Sequence, residues 1–168
     1  MTITAEQLVE NYHMSEHPEG GFFVETYRAS EFLQEECLPL RFRGERVFST
    51  AIYYLLRGNE YSAFHRIHSD ELWHFYYGSS LNIYILDPWG NFELITLGAN
   101  LSNGEVFQAV VKAGHWFAAH PVNTDHFSFV GCTVAPGFSF EDFEIADPAN
   151  LSEQFPKYTD MIWKFSKR

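Results

Sequence analysis

The sequence predicts an all-β chain, a sandwich or closed barrel of short strands with a short helix toward each end. Three observations predict it. Apolar or alternating runs recur at close intervals from residue 22 to residue 136, turn signals rich in Gly, Asn, Asp and Pro stand between them, and no helical pattern long enough for a βαβ crossover intervenes. Short strands at this spacing belong to architectures that close or double their sheets to hide edges.

Each element has a local reason. Thr4-Ala5-Glu6-Gln7 has capping-box form with Ile3 and Leu8 spaced as a hydrophobic staple, so a helix is expected over about 5–13. His17-Pro18-Glu19-Gly20-Gly21 is strong punctuation, its glycines supplying unusual backbone angles, and turns the chain into a strand over 22–28. Residues 30–46 mix charge with Pro and Gly and read as a loop. Strands are expected over 47–56, 61–68, 71–77, 80–87, 91–97, 105–111, 115–120 and 126–136, the pair at 61–68 and 71–77 forming a hairpin through Ser69-Asp70. Phe138 to Glu144 reads as an acidic-aromatic strand, and two helical stretches separated by Pro156 close the chain. No repeat, low-complexity tract or linker breaks the pattern, so one domain over 1–168 is expected.

Composition narrows the function classes. Hydrophobic residues make up 46% and aromatics 18%, with 17 phenylalanines, so core material is ample and disorder is excluded. A formal charge of −11 argues against a nucleic-acid partner and against anionic membrane surfaces. Cys37 and Cys132 are too few for a disulfide framework or a thiolate zinc site. No signal-peptide pattern or membrane-length apolar run is present, so the expected location is the cytoplasm. Serine-hydrolase elbow, zincin helix, phosphate loop and dinucleotide fingerprint are all missing.

Chemistry concentrates between Gly58 and Gly78, where His65, His68, His74, Arg66, Asp70 and Glu71 sit inside an apolar β pattern. Alternation puts His65 with Ala63 and Ile67, and Glu71 with Trp73 and Phe75, while His68 and His74 point the other way. If His65 and Glu71 face inward, the pocket holds a base, a carboxylate and an aromatic wall. Each has a structural alternative: an interior hydrogen-bonded histidine for His65, a turn cap for Asp70, a cross-strand Arg66–Glu71 ion pair, and core packing for Trp73, Phe75 and Trp116.

At HPEGGFFVETYR (17–28), STAIYYLL (49–56), HRIHSDELWHFYYG (65–78), VVKAGHWFAA (110–119) and VGCTVAPGFSFEDFEIA (130–146) the chain resembles the cupins, and within them a family long described as a domain of unknown function. The resemblance implies a double-stranded β-helix jelly roll, a homodimer whose N-terminal strands cross to the partner, and a pocket for a small-molecule ligand inside each barrel. Against the cupin metal signature, His65, Glu71, Gly78 and Gly114 match. Ile67 and Phe117, however, stand at two ligand positions and Lys112 replaces a proline. Two of four usual metal ligands are therefore missing and no cofactor is expected, unless a bulge re-aims His68 or His74 toward His65 and Glu71.

What remains is similar to the metal-free sugar-nucleotide epimerase branch. That branch implies His65 as general base held by Glu71, a tyrosine acid among Tyr53, Tyr61 and Tyr77, and Arg28 and Arg66 as anchors for an anionic group. Tyr61, Trp73, Phe75 and Trp116 would complete the ligand wall. The expected function is thus a metal-independent isomerase or epimerase on a sugar-like or polar carbonyl substrate. A non-catalytic binder or sensor and a metal-dependent cupin enzyme are the alternatives.

Overall fold

The computed structural model describes residues 3–167. Helix α1 (Ala5–Asn11) leads into strands β1 (Ser15–Glu16) and β2 (Phe22–Arg28), then a small pair β3 (Phe32–Leu33) and β4 (Arg46–Val47). The body follows as β5 (Thr50–Leu56), β6 (Ser62–Arg66), β7 (Asp70–Gly78), β8 (Leu81–Leu86), β9 (Phe92–Leu97), β10 (Gln108–Val111), β11 (Trp116–Pro121) and β12 (Ser128–Ala135). After β13 (Glu144–Ile145), helices α2 (Pro148–Gln154) and α3 (Thr159–Lys164) end the described chain. None of its helices is long and apolar enough to cross a membrane.

The strands form two antiparallel sheets, one ordered β1-β2-β5-β12-β7-β10 and one ordered β13-β6-β11-β8-β9. Alternation explains how they pack. Tyr54 and Leu56 of β5, Trp73 of β7, Ile83 and Ile85 of β8, and Val130 and Cys132 of β12 meet between the sheets. Leu55 and Phe129 point outward and are covered by Ala5 and Leu8 of α1. On the opposite outer face Phe64, Leu86, Trp116 and Ala118 are covered by Leu151, Phe155, Ile162 and Phe165. Each fully buried Leu, Ile or Phe contributes about 1.5–3 kcal/mol relative to an exposed one, so both sets of helices are fastened through β side chains that point away from the interior.

The cap of α1 forms as its sequence demands: the Thr4 hydroxyl accepts from Gln7 N at 3.2 Å and the Gln7 amide oxygen accepts from Thr4 N at 3.0 Å. Ile3, expected to staple onto Leu8, is 44% exposed instead, because Leu8 turns onto the sheet.

Two expectations are corrected. Strands β6 and β7 do not form a hairpin. The bend after Arg66 carries the chain from one sheet to the other, and β6 pairs with β11 and β13 while β7 pairs with β12 and β10. The bend is pinned from outside: Ser69 Oγ donates to the Pro136 carbonyl at 2.8 Å, and Arg41 Nε donates to the His68 carbonyl at 2.6 Å. The segment expected as a strand over 138–144 is mostly a 3₁₀ turn, Phe140–Asp142, because Ser139 caps Glu141 N and Arg46 holds Asp142.

Candidate functional site

A cavity of about 470 Å³ opens between the two sheets, beside the loops around 17–21 and 137–143. His65 and Glu71 both line it. They do so across the bend: His65 ends an interior face of one sheet and Glu71 begins an interior face of the other. Both side chains are almost fully buried.

The loop over His17 to Gly21, read from the sequence first as a turn and, by the family resemblance, as shaping the pocket mouth or dimer seam, adds two residues to the cavity, His17 and Glu19. Gly20 and Gly21 have φ of 120° and 67°, and a Cβ on either would collide with the carbonyl oxygen of Tyr61 or Leu55. Only glycine lets the loop lie so close to β5 and the start of β6. That approach drives Glu19 inward, where its carboxylate meets His65 Nε2 at 3.0 Å and accepts from Ser62 Oγ at 2.9 Å. His17 Nδ1 lies 3.5 Å from the same carboxylate.

Hydrogen bonding fixes the proton on His65. Nδ1 lies 2.7 Å from the Ala63 carbonyl, which can only accept, so Nδ1 donates. Nε2 and Glu19 Oε2, 3.0 Å apart, must then share one proton between them. Burial pushes the imidazole down to about 4, opposed by the Ala63 carbonyl. Burial also raises the Glu19 carboxyl, opposed by His17 and Ser62. With one proton between them, the pair carries no net charge. Glu71 is pushed up to about 8, first by burial and then by Glu19, with the Cys132 thiol and the Trp73 indole N–H beside it pulling the other way. It therefore carries a proton at neutral pH. The floor of the cavity is thus uncharged and rich in donors.

Arg28 also lines the cavity but is engaged bidentately by Glu25, at 2.9 and 2.7 Å. The other expected site residues lie elsewhere. Tyr53 points to the outer face, against Tyr12, Tyr76 and Phe129. Tyr77 is exposed beside Phe127, and Tyr61 donates to the Ser166 carbonyl at 2.8 Å while its ring meets Phe165. No tyrosine lines the cavity among the described residues. Tyr54 is the inward tyrosine of β5, and its hydroxyl donates to the Gly20 carbonyl at 2.7 Å. Arg66 pairs with Glu144 rather than Glu71, its guanidinium over Trp116 at 4.4 Å, and Trp116 faces the C-terminal helices because Phe117 takes the inward position. Trp73 and Phe75 are core packing rather than cavity wall.

Metal ligation fits poorly. Ile67 lines the cavity at one expected ligand position, and Phe117, at the other, packs on His65 with ring centroids 4.0 Å apart. His68 turns to Asp142 at 3.2 Å and His74 to Thr133 at 3.1 Å, so neither joins His65 and Glu71. Among the described residues no three His, Cys, Asp or Glu side chains converge with metal-ligand geometry.

A family model described as "Cupin superfamily (DUF985)" matches residues 6–146. The uncharacterized protein YML079W of Saccharomyces cerevisiae is 30% identical over 146 residues, covering 82% of this chain and 72% of the yeast protein. Protein SO0799 of Shewanella oneidensis is 34% identical with a TM-score of 0.89 and 99% coverage of both chains. A hypothetical protein of Leishmania major is 28% identical with a TM-score of 0.89, over 99% of this chain and 100% of its own. Oxalate decarboxylase of Bacillus subtilis, 13% identical with a TM-score of 0.56 and covered over 37% of its length, shares the fold alone.

Proposed function

The chain belongs to the cupin superfamily, in the family described as DUF985, and from that premise we propose that its cavity binds a small polar carbonyl compound and relocates a proton on it, as a metal-independent isomerase or epimerase. One observation carries the reading: two proton-bearing groups, Glu71 and the Glu19–His65 pair, line one buried cavity. Environments that push titratable groups apart separate acid from base. A carboxyl near 8 is a base of useful strength at neutral pH, when its ionised fraction faces substrate. Glu71 would take the proton from the carbon beside the carbonyl, the electron pair passing to the carbonyl oxygen. The proton shared by Glu19 and His65 would then return to carbon, and solvent would restore both groups. These roles differ from those expected of the sequence because both ring nitrogens of His65 are already engaged.

Deuterium exchange tests it. The full chain incubated in D₂O with a panel of neutral and charged keto compounds should wash deuterium into the α position of at least one. Glu71→Gln should slow that exchange about 10²- to 10⁴-fold while changing affinity less than about tenfold. Exchange indifferent to the substitution, or exchange with no compound, rejects the reading. A second reading, a non-catalytic binder or sensor, is favoured by the absence of a free histidine nitrogen among the bonds His65 makes, and it predicts binding without exchange. The homodimer implied by family resemblance is part of the same proposal: light scattering should give twice 19.5 kDa, and the monomer mass rejects it.

A further inference from the structure

The cavity has a charge preference that its residue types conceal. Two arginines line it, which would ordinarily suggest an anionic ligand. Arg28 spends its fork on Glu25. Arg46, buried, directs Nε and Nη2 to Asp142 at 2.7 Å each, Nη1 to the carbonyls of Arg43 and Glu45, and a longer Nη2 contact of 3.5 Å to Glu141. No donor on Arg46 is left over for a carboxylate or phosphate. With Glu25 and Asp142 cancelling the two arginines, the carboxylates of Glu45 and Glu141 remain as surplus negative charge where the cavity opens.

The wall next to Glu141 is aromatic. Phe138, Phe140 and Phe143 line the cavity and meet edge to face, with centroids 5.0, 6.2 and 6.0 Å apart. Ring faces carry the negative part of the aromatic quadrupole and attract cations, more strongly where water is excluded. At the floor lies the buried Glu71 carboxyl.

We propose that the ligand is a cation: an organic ammonium compound whose charged end rests against the phenylalanine wall near Glu45 and Glu141, with an oxygen acceptor reaching the Glu71 end. The inference rests on the cavity being the binding site and names the class of molecule that enters it. The same charges disfavour anionic sugars and sugar phosphates.

Three molecules of one shape and different charge make the test: choline, its uncharged isostere 3,3-dimethylbutan-1-ol, and 3,3-dimethylbutanoate. Each is titrated into the ¹⁵N-labelled full chain while the cavity-lining amide resonances are followed. Choline should shift them with a dissociation constant at least tenfold below that of the alcohol, and the butanoate should bind weakest. Replacing both Glu45→Gln and Glu141→Gln, on exposed positions that leave folding intact, should bring choline to the level of the alcohol. Equal binding of choline and the alcohol, tightest binding of the butanoate, or a choline preference that survives the double substitution overturns the charge assignment and leaves the cavity as a site. Resonances that move with none of the three overturn the inference and the cavity reading together, whereas deuterium exchange judges the proton-transfer chemistry separately.

Discussion

Replacing Glu71 with Gln should make the protein's stability less sensitive to alkaline pH. The folded carboxyl titrates at about 8 and the unfolded one near 4.5, so between those values the folded state holds a proton that the unfolded state has released. Stability therefore falls as pH rises through that window, by about 1.4 kcal/mol for each pH unit. From pH 6.5 to 8, allowing for partial ionisation of the folded group at the upper end, the loss due to Glu71 is on the order of 1.5 kcal/mol. Gln fills the same space without titrating. Urea denaturation of wild type and Glu71→Gln at both pH values isolates the effect, because contributions from Glu19 and His17 are common to both chains. Wild type should lose about 1.5 kcal/mol relative to Glu71→Gln from pH 6.5 to 8, or about 3–6 °C in melting temperature for a chain of this size. A difference that stays constant over that range would show that Glu71 is ionised when folded and would refute the assignment of a protonated floor.

Other perturbations probe the supports of the cavity. Arg46→Met should cost about 3–5 kcal/mol in denaturant unfolding, since it strands the buried Asp142 carboxylate, and a loss below about 1 kcal/mol would mean the pair is not what ties residues 46 and 142 together. Gly21→Ala, at φ 67° against the Leu55 carbonyl, should destabilise by more than about 1 kcal/mol and disturb the Glu19–His65 contact, visible as a changed His65 ring resonance; an unchanged ring signal contradicts the role given to this loop. His65, held at about 4 when folded against 6.5 when unfolded, binds its proton more readily in the unfolded chain, so its contribution is lost as pH falls from 6.5 toward 4. His65→Gln should flatten that acid limb by up to about 3 kcal/mol, and an equally steep limb in the variant argues against a neutral imidazole.

Much of the architecture was readable in sequence because local rules and tertiary packing agree. The capping box at Thr4 and Gln7, the strand at 22–28 and the helical stretches around Pro156 appear where their residues place them. Alternation also brought His65 and Glu71 to one hollow, although through a change of sheet and not through a hairpin. The same rule, applied to β5, separates Tyr54 from Tyr53: Ile52 lines the cavity, so Tyr54 shares its face and Tyr53 does not. That signal was present and unused. Glu19 was hidden for a different reason. Its direction depends on two glycines pressed against Tyr61 and Leu55, distant in sequence, and a turn motif says nothing about where its side chain points. Arg46 and Asp142, 96 positions apart, are joined only by the fold.

The central claim is that a carboxylic acid keeps its proton at neutral pH on the floor of this cavity. A ¹³C NMR titration of the Glu71 side-chain carboxyl in the intact chain tests it most directly. A midpoint close to 8 is the predicted result. A midpoint close to 4.5, the value of an ordinary glutamate, would contradict it and remove the acid–base pair on which the proposed chemistry stands.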